Sequence, residues 1–335
     1  MGKVIRIGTR ESQLAMWQAN EVKRLLEGEG FSAELVLIKS EGDIDLHTPL
    51  YEMGVQGIFT RHLDMALLGN TIDIAVHSMK DVPTQLAKGI VQAAVLKRAS
   101  YKDIFVYKGE QEDIEKALGI VNGEWTMVNE GDPRSSKSIH HSPFTIQPFT
   151  IATSSIRRKA QWLNRYPHHR IENLRGNVNT RLRKVEEQQW NGAVFAAAGL
   201  ERIGLRPPNS LTLDWMLPAP AQGAIMIVCR HDDTYCQETA AKLNDAGTAL
   251  CAKIERDFLR TLLGGCSTPI SALAEIGNDI LYFHGNILSV DGKQKAETDM
   301  QAPVDGVLDL GVKAAQKILS KGGKQIAESF SHDTK

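Results

Sequence analysis

Short β-branched runs alternate with stretches of helical spacing over most of this 335-residue chain, and several of the runs end abruptly in polar clusters. Alternation of this kind predicts a mostly parallel sheet covered by helices on both faces, with ligands received at the carboxyl ends of the strands. Residues 4–9 read as a first strand, Ser12 as the cap of a helix running to Leu26, and residues 33–39 as a second strand. A Gly-rich link around Gly54 and Gly57 leads to a helix over 61–68. In the stretch from Ile72 to Pro83, Ile72, Ile74 and Val76 argue for a buried strand, and Pro83, which cannot donate to a ladder, ends it. His77, Ser78, Lys80 and Asp81 follow at the edge where a substrate would be held; the plainer reading of Lys80-Asp81 is a surface ion pair in a turn, which contributes little.

The pattern breaks between 119 and 148, where Gly, Asn, Ser, His and Pro cluster and a mobile surface insertion is expected. Deleting residues 129–142 should leave activity intact. Alternation resumes with a strand at 149–153, a helix at 155–165, a strand at 170–173, a helix at 180–187 and a strand at 193–197. After Gln222 and Gly223 a strand at 224–229 returns towards the first unit. A helix over 248–262 opens a third unit with a strand at 280–288, a turn at Asp291-Gly292 and a helix near 308–319, a small α+β module.

A chain this long, with 42% hydrophobic and 24% charged residues, splits into two or three domains. No apolar run approaches the roughly 20 residues needed to span a bilayer, and the first residues lack the layout of a signal peptide, so the protein is expected in the cytoplasm without a membrane partner. Arg6 stands where a myristoylation signal needs Ser or Thr. The four cysteines are too irregularly spaced for a zinc knuckle, and no metal is expected; Cys229, Cys236 and Cys251 suit packing. Residues 151–206 carry nine Arg and two Lys against four Glu, a local balance of +7 in a chain of net charge -1, which implies an anionic partner.

Two strand ends in that basic region look built for anions. Thr153-Ser154-Ser155-Ile156-Arg157-Arg158 follows a strand and opens a helix, so hydroxyls, free amides and two guanidiniums converge where the helix dipole favours negative charge. A capped helix with solvated Arg is the plainer alternative. The stretch from Leu174 to Arg183 repeats the device, with Gly176 where backbone must come close and Arg175 and Arg181 beside it. Further on, Leu263-Gly264-Gly265-Cys266 places a thiol on a loop whose glycines leave it unshielded, either a nucleophile or attachment point or simply a packed Cys.

Taken together, these segments resemble the porphobilinogen deaminase family. The matching stretches run in the family's order: Arg6 to Ser12, Gly57 to Thr60, Val76 to Pro83, Thr153 to Arg158, Leu174 to Arg181, Ala197 to Leu205, Gln222 to Ala224 and Gly264 to Cys266. The resemblance implies two periplasmic-binding-protein-like doubly wound α/β domains plus a small α+β C-terminal domain. They are placed at 1–99 with 221–243, at 100–220 with the insertion at 119–148, and at 244–335. It further implies that Cys266 bears a dipyrromethane cofactor through a thioether. Porphobilinogen units are added to it with release of ammonia until hydrolysis frees hydroxymethylbilane.

For the residues, the resemblance implies that Asp81 is catalytic and that Ser12, Lys80, Asp81, Thr153, Ser154, Ser155, Arg157, Arg158, Arg175, Gly176 and Gln222 hold the cofactor. Arg10, Ser12, Phe59, Ser78, Arg157, Arg175, Arg181 and Arg202 are assigned to substrate. The chemistry agrees: every pyrrole carries two carboxylates for Arg to pair, and loss of ammonia leaves a cation that a carboxylate stabilises. The chain departs from the family pattern at Gln56, a commonly basic position, at Ser267-Thr268 after the Cys, and at Pro220-Ala221, which should stiffen the crossing between domains. A non-catalytic two-domain anion-binding protein would share the fold without needing Cys266. A nucleic-acid binder is disfavoured, since the Arg residues are not interleaved with stacking aromatics. A monomer is expected.

Overall fold

The computed structural model describes residues 3–39, 60–121, 124–125, 149–262 and 268–332. The first stretch supplies β1 (Ile5–Thr9), α1 (Gln13–Gly28), β2 (Ala33–Leu37), α2 (Arg61–Leu68), β3 (Ile74–Ser78) and β4 (Ile90–Val95). A second supplies β5 (Asp103–Tyr107), α3 (Gln111–Leu118), the two-residue strands β6 (Ile120–Val121) and β7 (Glu124–Trp125), β8 (Thr150–Ala152), α4 (Ile156–Arg165), β9 (Arg170–Glu172), α5 (Val178–Glu187), β10 (Gly192–Ala196), α6 (Ala197–Glu201) and β11 (Ser210–Thr212). The last comprises β12 (Ile225–Arg230), α7 (Thr234–Ala241), α8 (Ala246–Thr261), β13 (Ile270–Gly277), β14 (Ile280–Leu288), β15 (Lys295–Pro303), α9 (Leu310–Ile318) and α10 (Lys324–His332).

Two five-stranded sheets share one plan. The first runs β2-β1-β3-β12-β4 and the second β9-β8-β10-β5-β11. In the first, β12 is antiparallel to both β3 and β4, and in the second β5 is antiparallel to both β10 and β11, so one strand in each sheet opposes the other four. Half of the ladders are therefore antiparallel, more than a mostly parallel sheet implies. The reason is connectivity: β5 and β12 are the first strands after the chain crosses between sheets. A strand arriving at the carboxyl edge of its new neighbours must run against them, and periodicity carries no record of direction.

Helical faces cover both sides of the first sheet. Val22 and Leu26 of α1 pack with Ile5, Ile7, Ile74, Val76 and Ile227, while Leu63 and Leu67 of α2 pack with Ala75, Met79 and Val228 on the opposite face. Alternate residues of β3 thus serve opposite cores, the arrangement a strand buried on both faces requires. Each fully buried Ile or Leu contributes about 1.5–3 kcal/mol. The strand begins two residues later than the β-branched run suggests. Ile72 and Asp73 precede it, and Asp73 is a buried carboxylate held by Lys3, Arg6 and Arg230. His77 and Ser78 join the strand because β12 pairs with them.

The third sheet, β13-β14-β15, is antiparallel, and Phe258 of α8 and Ala314 and Ile318 of α9 pack against it. The expected unstructured stretch after Gly119 instead begins with the β6–β7 pairing, and Trp125 meets Trp215 edge-on at 6.1 Å. Trp125 thus has an aromatic partner 90 residues further along the chain. Residues 126–148 lie outside the described residues. Cys229, Cys236 and Cys251 are buried as expected, and burial pushes their thiols up to about 11, 12 and 12 respectively.

Candidate active site

The carboxyl ends of equivalent strands in the two sheets carry the same devices. After β1, Ser12 caps α1 by accepting from the Ala15 N–H at 3.4 Å; after β8, Ser155 caps α4 by accepting from the Arg158 N–H at 3.5 Å. Thr153, buried beneath that cap, accepts from the Ser155 N–H at 3.1 Å, and Ser154 donates to the Leu174 carbonyl. After β9, Gly176 takes φ +113, and a Cβ there would lie 2.7 Å from Thr180, so the bend needs glycine. Its carbonyl accepts from Arg181 Nε at 2.7 Å.

After β3 the chain turns through Met79–Asp81. Met79 is buried, its N–H donates to the Ala224 carbonyl at 3.0 Å, and the turn carries Lys80 and Asp81, each partly covered. Ser78, the last residue of the strand, accepts from the buried Gln18 of α1 at 2.8 Å.

A buried carboxylate absent from the sequence-based assignments organises the arginines. Asp103, the first residue of β5, is fully buried and pairs with Arg157 Nη2 at 2.6 Å and Arg158 Nη2 at 2.7 Å. Burial alone would raise its pKa, but the two guanidiniums hold it well below the usual carboxylate range. Arg157 also donates to the Leu217 carbonyl at 2.6 Å and Arg158 to the Val194 carbonyl at 2.9 Å. The Nε–H of each Arg is buried with no hydrogen-bond partner among the described residues. Gln222 links this cluster to the β3 turn, donating to Asp103 at 2.9 Å and to the Tyr101 carbonyl at 2.7 Å while accepting from Lys80 at 3.2 Å.

Electrostatics place the rest. Burial lowers Lys80 to about 8, with Asp81 and Asp103 opposing the shift and Arg158 and Arg157 adding to it. Arg181 is lowered to about 10 by burial, then by Arg158 and Arg175, with Asp81 pulling the other way. Lys80, Asp81, Arg157, Arg158, Arg175 and Arg181 therefore form one neighbourhood. Arg202 stands to one side, donating to the Gly223 carbonyl at 2.7 Å and lying 5.6 Å above the Trp17 ring. The buried His77 is lowered to about 4 by burial, with the positive charge of Arg10 adding. Phe59 and Cys266 lie outside the described residues.

Helix α8 ties the site to the third sheet. Its Glu255, fully buried, receives Arg98 at 2.6 Å from one crossing segment, the Ala221 N–H at 2.6 Å from the other, and the Ala274 N–H at 2.7 Å from β13. Ala221 adopts φ +61 there, a left-handed conformation that costs a non-glycine residue about 1–2 kcal/mol. The donor set as a whole, several guanidiniums, an ammonium and hydroxyls over a glycine bend, suits a ligand bearing many carboxylates.

Residues 5–238 match a family model described as porphobilinogen deaminase, dipyromethane cofactor binding domain, and residues 249–320 match one described as porphobilinogen deaminase, C-terminal domain. Similar curated proteins include a porphobilinogen deaminase of Geobacter sulfurreducens, 38% identical over 334 residues that cover 98% of this chain and 96% of the relative. Another, of Syntrophotalea carbinolica, is 39% identical over 326 residues covering 96% and 94%. Among solved structures, the methionine binding protein MetQ aligns over 72% of this chain and 89% of its own at 14% identity with a TM-score of 0.41. A ligand binding component of an ABC-type import system from Staphylococcus aureus aligns over 77% and 73% at 15% identity with a TM-score of 0.37.

Proposed function

The chain belongs to the porphobilinogen deaminase family, and on that premise we propose which of its residues carry the reaction. The enzyme joins porphobilinogen into the linear tetrapyrrole hydroxymethylbilane, releasing ammonia, on a dipyrromethane primer, a step of tetrapyrrole biosynthesis. The non-catalytic anion-binding reading is set aside by this match.

Asp81 is the catalytic acid in this account. The observation that carries it is placement: Asp81 stands on a pinned turn beside Lys80 and Arg181, and its carboxylate accepts no hydrogen bond from the described residues, whereas Asp103 is consumed by two guanidiniums. When porphobilinogen loses its aminomethyl nitrogen as ammonia, positive charge develops on the remaining fragment, and a fixed carboxylate in a partly dry cleft stabilises it. The same group takes the proton that a ring carbon gives up once the new carbon–carbon bond has formed.

Arg10, Arg157, Arg158, Arg175, Arg181, Arg202 and Lys80 pair the acetate and propionate side chains, with Ser12, Thr153, Ser154 and Ser155 as neutral donors. Arg157 and Arg158 do so with Asp103 behind them as a counter-charge that fixes their direction. When attached through Cys266, the dipyrromethane supplies the terminal pyrrole that accepts the first unit. Gly176 lets the backbone come close to it, and Gln222 keeps Lys80 turned towards the arginines. Domain boundaries at 1–99 with 221–243, 100–220 and 244–335 suit the crossings before β5 and β12. We take the enzyme to work as a monomer in the cytoplasm; no helix among the described residues is long and apolar enough to cross a membrane.

The test is to incubate the purified protein with porphobilinogen and measure ammonia against tetrapyrrole. The account predicts one ammonia per pyrrole incorporated and hydroxymethylbilane as product; consumption of porphobilinogen without a linear tetrapyrrole would overturn it.

A further inference from the structure

Helix α8 carries a second buried side chain next to Glu255, and it reaches a different target. Arg256 is 9% exposed, and its guanidinium donates to three main-chain carbonyls: Met79 at 3.2 Å, Val82 at 2.9 Å and Pro83 at 2.6 Å. Those carbonyls bracket Lys80 and Asp81. The same turn is tied at its start by Met79 to the Ala224 carbonyl and closed on itself by the Val82 N–H, which donates to the Met79 carbonyl at 3.2 Å. A planar guanidinium presents forked donors to several acceptors at once, which a lysine ammonium or a glutamine amide in the same place cannot reproduce.

We propose that Arg256 is a positioning residue for Asp81. By gripping the carbonyls on either side of the acid it sets where the carboxylate stands, and it binds that turn to the helix whose chain continues into the segment containing Cys266. The inference rests on Asp81 being the catalytic group. Arg256 acts through the backbone of the turn, whose carbonyls it binds.

The test is a double-mutant cycle with Arg256→Gln and Asp81→Asn, alone and combined, read by kcat, KM, intact mass and thermal unfolding. Misplacing a catalytic group by a fraction of an ångström to an ångström predicts a kcat loss of about 10- to 100-fold for Arg256→Gln. KM should stay within about twofold, because the loss falls on the transition state. The primer mass is retained. In the Asp81→Asn background the same substitution should cost less than about twofold more, since coupled residues are non-additive. Arg256→Lys, which keeps the charge and supplies the cycle should Arg256→Gln fail to fold, should recover only part of the rate. Losses that multiply, or a loss appearing in KM or in primer attachment, would overturn the proposal. Near-normal turnover of Asp81→Asn alone would instead overturn the assignment of Asp81.

Discussion

The Lys80 ammonium donates to the Gln222 side-chain oxygen at 3.2 Å, and the Gln222 amide donates in turn to Asp103 at 2.9 Å. One neutral side chain thus connects the turn after β3 with the carboxylate that holds Arg157 and Arg158. Gln222 lies in the crossing between sheets and is almost wholly buried, so both ends of its amide are committed. Lys80, Gln222, Asp103, Arg157 and Arg158 are in this way one hydrogen-bonded unit, assembled from the turn after β3, the crossing before β12, the start of β5 and the first turn of α4.

Lys80 gives the cleft a pH dependence. Burial lowers its pKa from 10.5 to about 8, so the ammonium is lost as pH rises through about 8. The kcat/KM for porphobilinogen should fall across that range as a carboxylate anchor disappears, and Lys80→Arg should move the fall to higher pH. Between about 8 and 10.5 the unfolded chain still binds the proton, so the Lys80 contribution to stability rises with pH there. A kcat/KM profile that is flat across this interval in both proteins would contradict the assignment.

Asp103→Asn should be severe for a different reason. It leaves two buried guanidiniums without their counter-charge, which costs about 3–5 kcal/mol. Urea unfolding at pH 7 measures the loss. Because the folded pKa is depressed, the Asp103 contribution is present above the ordinary carboxylate value of 3.8 and disappears only as pH falls below it. A wild-type-like urea midpoint for the variant would show that the pairs contribute nothing.

Gly176→Ala should lower stability by about 1–3 kcal/mol, the cost of holding a residue with a Cβ in a sparsely populated backbone region. The added atom also meets Thr180 at 2.7 Å. Unchanged unfolding would mean that the bend relaxes freely and does not fix the Gly176 carbonyl for Arg181.

Cys266 should be modified in the purified enzyme. Intact mass spectrometry is expected to find the protein heavier than its sequence by two linked pyrrole units, and peptide mapping to place them on Cys266. Active enzyme with an unmodified Cys266 would sink the tether.

Much of this architecture was legible beforehand, and the reasons are local. Ser12 and Ser155 announce their helices because a cap bonds within three residues, and residues 61–68 and 280–288 follow simple periodicities. Lys80 and Asp81 were legible as a polar break after an apolar run. Asp103 was not, since a single acid before Ile104 and Phe105 gives no hint that its partners lie 54 and 55 residues on. Arg256 was hidden in the same way, bonded to carbonyls more than 170 residues distant. Strand β15 escaped notice because one of its faces is exposed and reads as a polar stretch.

The most direct test of the account is the rate at which Asp81→Asn, with the primer mass still present, incorporates porphobilinogen in a single turnover. The substitution keeps the shape and removes the charge proposed to stabilise the developing cation. The account predicts a loss of about 10²- to 10⁴-fold, the range for removing a positioned acid–base group. A rate within a few-fold of wild type would contradict it.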